Sequence, residues 1–134
     1  IDARSADPEG RCNVGIRDMM FSNIRIDSTR PVRIEIEPDV EIAHLSGLSF
    51  TNIRATGRDP ILIKGSSRTI IEDIRFDNVC IETLAGQAFI LENCRNVILN
   101  KVCASSTSKV EQSAEDSVPK MKARNFKERQ TCPK

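Results

Sequence analysis

At 134 residues the chain is long enough for one domain with its own apolar core, and 20 basic against 19 acidic side chains leave no net-charge footprint for nucleic acid. It has no run of eighteen apolar residues, so no membrane-spanning helix is expected. Cys12, Cys80, Cys94, Cys103 and Cys132 show no CxxC or Cys/His spacing and His44 is the only histidine, which argues against a metal site; no cofactor is implied.

The chain opens on Ile1 with no basic-then-apolar leader, so a processed chain or a piece of a longer one is expected. Residues 1–15 read as a polar lead-in, too short to cap an apolar core. From Ile16 a phrase begins that recurs: Met19 to Ile26, Leu48 to Ala55 and Ile74 to Ile81 all read apolar-x-Phe-x-Asn-apolar-x-apolar. Val97 to Ala104 is a worn fourth copy, with Leu99 in the phenylalanine position and Lys101 in the asparagine position. Phe21, Phe50, Phe76 and Leu99 lie 29, 26 and 23 residues apart, a spacing that marks a solenoid.

Within each copy the apolar residues alternate, then shift by two, as in Ile74 and Phe76 followed by Val79 and Ile81. Alternation over a short β-branched run predicts a strand, and the shift predicts a bend in it. A second apolar strand follows each copy at Val32 to Ile34, Ile61 to Ile63 and, with a one-residue insertion, Ala88 to Leu91. The economical geometry is an all-β fold, a right-handed parallel β-helix of about four coils over residues 16–104. Phe21, Phe50, Phe76 and Leu99 form an inner column, and Asn23, Asn52 and Asn78 sit at the bends, bonding the equivalent backbone of neighbouring coils. Residues 105–134 turn polar and then basic, with six cations against one carboxylate from Pro119 onward, and read as a tail or as a lid on the last coil through Met121, Phe126 and Cys132. More coils are expected to precede Ile16, because an uncovered strand edge invites aggregation.

The repeat interval also acts as a ruler on the charged residues. Glu35 and Glu37 are spaced to share one outer strand face, as paired acids would be, but Lys64 stands 29 residues beyond Glu35, so a cross-coil ion pair is expected there. Glu72 and Asp73 fall at the start of a coil and read as solvated. Arg25 and Arg54, also 29 apart, should stack as like charges; solvent, Asp27 or an anionic ligand bridging both would relieve them. Cys80 and Cys103 are one coil apart, close enough for a disulfide or for two separate thiols. A bridge would imply an oxidising compartment.

Ile16 to Ile24 followed by Pro31 to Ile36, then Leu48 to Ile53 with Pro60 to Gly65, then Ile71 to Val79, resembles the late coils of the glycoside hydrolase family 28 polygalacturonases. The resemblance covers roughly residues 12–104. It implies a secreted or periplasmic protein acting on pectic polysaccharide, hydrolysing galacturonosyl bonds with inversion, with a uronate carboxylate as the anion that Arg25 and Arg54 would bind. The family's Asn-x-Asp, Asp-Asp, Gly-His-Gly and Arg-x-Lys motifs are all missing from this sequence: Asn13-Val14-Gly15 lacks the aspartate, His44 lies between Ala43 and Leu45, and Arg33-Ile34-Glu35 ends in the wrong charge. The resemblance therefore implies scaffold coils of a longer β-helix, with no catalytic residue in this chain and anionic polysaccharide as its partner, and with neither nucleic acid nor membrane. The second reading is a non-catalytic β-helix module for carbohydrate binding or assembly. Absent tryptophan and tyrosine, the usual stacking surfaces for sugars, add weight to it.

Overall fold

The computed structural model describes residues 2–3, 9, 11–106, 122–124 and 127–128. Its strands are β1 (Asp2–Ala3), β2 (Arg11–Asp27), β3 (Arg33–Ile36), β4 (Glu41–Gly57), β5 (Ile61–Lys64), β6 (Ile71–Thr83), β7 (Phe89–Glu92), β8 (Cys94–Ser106), β9 (Lys122–Arg124) and β10 (Lys127–Glu128). Short and long strands alternate, and every pairing is parallel to the equivalent strand of the next coil. The short strands form one sheet in the order β1-β3-β5-β7, and the long ones form another in the order β10-β8-β6-β4-β2, with β9 on β8. The result is a parallel β-solenoid of about four turns.

The register follows the sequence repeat. Phe21, Phe50, Phe76 and Leu99 are successive Cα partners, and the rings of Phe21/Phe50 and Phe50/Phe76 stack with centroids 5.1 and 4.8 Å apart. Phe89, from the short-strand sheet, meets Phe76 edge-on at 5.4 Å and closes the column from the side. Around it Leu48, Ile63, Ile74, Leu91 and Val97 are fully enclosed, so one continuous apolar column runs through the molecule.

Each long strand turns twice through left-handed backbone. One set of bends is Asn23, Asn52, Asn78 and Lys101, with φ of 57, 53, 54 and 51°; the other is Asp18, Gly47, Asp73 and Asn96, with φ of 54, 71, 57 and 56°. Asparagine, aspartate and glycine tolerate this region, which explains why the apolar alternation shifts phase without leaving the sheet. At Gly47 a Cβ would also stand 2.6 Å from the Asp18 carboxylate, so only glycine fits.

The asparagine ladder differs from the sequence expectation in its partners. The amides bond one another rather than the backbone: Asn52 Nδ2 donates to Asn23 Oδ1 at 3.0 Å and Asn78 Nδ2 to Asn52 Oδ1 at 2.7 Å. The second bend set does likewise, Asn96 Nδ2 donating to Asp73 Oδ1 at 2.5 Å. The side chains point outward from the bend, so their nearest equivalents lie on neighbouring coils.

The coils also extend beyond the expected bounds of 16 and 104: β1 and the start of β2 already pair in register with β3 and β4, and β8 runs to Ser106. Past it, β9 and β10 continue the long-strand sheet by pairing with β8. The expected lid through Met121, Phe126 and Cys132 lies outside the described residues. Arg68 ties three coils together, donating to the carbonyls of Glu9 and Asp39 and to the Glu41 carboxylate.

Candidate functional site

Arg25 and Arg54 are in register on β2 and β4 and exposed on the outer face, and their side chains make no hydrogen bond or ion pair with any described residue. Asp27, one of the three sources of relief considered beside solvent and an anionic ligand, forms no ion pair with either; it lies two residues further along β2, on the rim of a groove. This groove, of about 340 Å³, crosses the strand ends and the turns that leave the long-strand sheet. Thr29, Thr56 and Ser106 give it hydroxyls, Arg58 a cation, and Asp27 and Glu82 carboxylates. Outward positions alternate along a strand, so the two arginines lie on the same face as the lining residues Asp27 and Thr56, two residues before each.

The arrangement can hold a polyhydroxylated anion. A guanidinium presents paired donors matched to a carboxylate, and two of them one coil apart offer two such forks at about 4.8 Å spacing. Hydroxyls along the groove can exchange hydrogen bonds with sugar hydroxyls without charge. The sequence did not reveal Thr29 or Arg58, which sit in turns whose shape the apolar pattern leaves open, nor Thr56, an outward strand position that the inward apolar pattern does not mark. Thr29 and Arg58, 29 residues apart, share the repeat interval and were the available signal.

The acids resolve into structural pairs. Glu35 is opposite Lys64 in register, as the interval predicts, but the expected ion pair between them does not form: Glu35 is taken by Arg33 on its own strand, and Lys64 Nζ reaches Glu92 of the following coil at 3.2 Å. Two cations compete for Glu35, and the one on the same strand face reaches it. Glu72 and Asp73, expected to be solvated, bind Arg95 and Asn96. His44 accepts a hydrogen bond from Arg17 Nε at 2.6 Å and lies over Gly15, where a Cβ would meet the ring. Among the described residues no three metal-ligating side chains gather.

Cys80 and Cys103 are joined by a disulfide between β6 and β8, with Cα atoms 4.6 Å apart. In register terms the bridge occupies the next two positions of the column begun by Arg25 and Arg54. Cys12 and Cys94 are free thiols. Cys94 is enclosed in the core, where burial pushes its pKa up to about 12.

No protein-family model, curated protein or solved structure matches this chain.

Proposed function

We propose that this chain is a scaffold and saccharide-binding segment of a polygalacturonase-like glycoside hydrolase acting on pectic polysaccharide, in which hydrolysis of galacturonosyl linkages is performed by acids on other coils of a longer β-helix. The observation that carries this reading is the in-register pair Arg25 and Arg54, whose side chains have no partner among the described residues, on the strand face that leads to a groove of hydroxyls two residues on. A uronate chain supplies both chemistries, a carboxylate for each guanidinium and hydroxyls for the groove. An inverting hydrolase needs two facing carboxyls about 6.5 to 9.5 Å apart with room for water between them. Here Glu35 is occupied by Arg33 and Glu72 by Arg95, so neither is placed as a member of such a pair. The Cys80–Cys103 bridge supports an oxidising, secreted or periplasmic setting.

The test is oligogalacturonate binding to the full chain and to the double variant Arg25→Ala/Arg54→Ala. We expect the variant to bind at least about tenfold more weakly, and more so at low salt, where exposed charge pairs are least screened. Unchanged affinity overturns the binding role. A reducing-sugar assay on polygalacturonate with this chain alone should show no turnover; measurable turnover overturns the scaffold reading. Binding that is lost in the variant but shows no preference for uronates over neutral glycans would favour the non-catalytic carbohydrate-binding module instead.

A further inference from the structure

The groove at the coil exits holds two opposite charges that do not meet. Glu82, near the end of β6, and Arg58, in the turn after β4, both line it, and neither side chain forms an ion pair or hydrogen bond with a described residue. Elsewhere opposite charges on adjacent coils close on one another: Arg30 with Asp59 at 3.1 Å, Lys64 with Glu92 at 3.2 Å, and Glu72 with Arg95. Asp59, the acid beside Arg58, is thereby taken.

Neither residue stands at an end of the stack. Glu82 lies in register between Thr56 and Ser105. The main chain of Arg58 is bonded on both sides, its amide donating to the Thr29 carbonyl at 3.2 Å and its carbonyl accepting from Thr83 Oγ1 at 3.0 Å. Thr83 is 2 % exposed, and its hydroxyl also accepts from the Ala85 amide at 3.1 Å. One buried hydroxyl therefore ties Arg58 to the turn that carries Leu84. Leu84 is 61 % exposed and lines the same groove, adding an apolar surface to the two charges. Glu82 is half-buried, and a carboxylate partly withdrawn from water is costly until a donor reaches it.

These groups narrow the ligand. A plain anion meets repulsion from Glu82, a plain cation meets it from Arg58, and a neutral sugar leaves Arg58 unused. A hexuronate ring complements all three: a carboxylate on one edge, two adjacent hydroxyls on the opposite edge, and a C–H face. The groove volume of about 340 Å³ falls within the usual range for small-molecule sites, about 300–1,000 Å³.

We propose that this groove is a subsite for one hexuronate unit of a polyuronate chain. Arg58 holds the carboxylate, Glu82 accepts from the two ring hydroxyls, and Leu84 lies against the C–H face. The inference rests on the saccharide reading above and adds a specificity to it. Units with free hydroxyls are taken, and units O-acetylated at those hydroxyls are rejected, because acetylation removes the donors and leaves the Glu82 carboxylate unpaired.

The experiment is calorimetric titration of the full 134-residue chain with oligogalacturonate, with its 2,3-O-acetylated form and with its carboxyl-reduced, neutral form. The native chain should bind the acetylated form about tenfold more weakly. Glu82→Gln should bind the unmodified ligand about fivefold more weakly and leave affinity for the acetylated one unchanged. The sign is decisive, since a carboxylate that merely faced a polyanion would repel it and its neutralisation would tighten binding. Arg58→Gln should cost about tenfold on the unmodified ligand and nothing on the neutral one. An equal loss on both overturns the assignment of the carboxylate to Arg58. No binding of oligogalacturonate by the native chain overturns the saccharide reading and this inference together. Binding that depends on Arg25 and Arg54 but is unchanged or tighter in Glu82→Gln overturns this inference alone. Should either variant fail to fold, the native chain decides, and equal affinity for the acetylated and unmodified ligands overturns the proposal.

Discussion

Lys101 occupies a backbone conformation that its seven counterparts fill with asparagine, aspartate or glycine. A lysine there bears the left-handed strain and cannot complete the ladder above Asn78. Lys101→Asn should relieve part of that strain and add one amide bond, raising the unfolding free energy by about 1 kcal/mol in urea titration. A neutral or negative change would show that the bend at this coil is held by something other than its residue. Cys94 makes a prediction about pH. Its thiol is pushed from 9.0 to about 12 by burial, so the folded chain holds the proton that the unfolded chain releases. The stabilising contribution is fully present below pH 9 and is lost as pH rises towards about 12, with a slope of up to about 1.4 kcal/mol per pH unit. Stability of Cys94→Ala, measured beside the native chain at pH 8 and pH 10.5, should decline less steeply with pH.

At the level of the strand, each long element is two bends joined by alternating sheet, and asparagine serves both the bend and the ladder. These two roles separate by substitution at Asn52, whose amide bonds the coils on both sides. Asn52→Ala loses both amide bonds and places a Cβ-bearing residue with no local compensation in left-handed backbone, at a cost of about 2–3 kcal/mol. Asn52→Gly keeps the bend and should cost about 1 kcal/mol. Equal losses for the two variants, measured by equilibrium unfolding, would mean that backbone strain is not what the asparagine resolves. The first bend column was visible in the chain because phenylalanine precedes each asparagine. The second, Asp18, Gly47, Asp73 and Asn96, keeps the same intervals of 29, 26 and 23 but changes residue type, so no repeated word announces it. The interval was the signal, applied to the class of residues that tolerate positive φ rather than to one letter.

Across the full stack, each coil contacts its sequence neighbours, so stability is close to a sum of neighbouring interfaces. The disulfide clamps the third coil to the fourth across 23 residues of chain. Reducing it should lower the unfolding free energy by about 3 kcal/mol in the chain-entropy account. Hydrogen exchange under reducing conditions should then show β8 opening before β4, whereas uniform loss of protection would argue that the solenoid unfolds as one unit. The outer face that sets Arg25 and Arg54 in register is a property of the stack and belongs to no single coil.

Stacking was legible in the chain alone: a period of 29, 26 and 23 residues with phenylalanine inside and asparagine at the bend leaves a parallel solenoid as the geometry that buries one column and satisfies the turns. The same intervals placed Glu35 opposite Lys64, Arg25 opposite Arg54 and Cys80 opposite Cys103, because register is a matter of counting. Which of those neighbours bond was settled in three dimensions. Glu35 goes to Arg33 and Lys64 to Glu92, while the asparagines bond each other, because side-chain reach and competition among nearby charges act after the backbone is in place. The groove was likewise hidden, being made of turns and of outward strand positions that the inward apolar pattern does not mark.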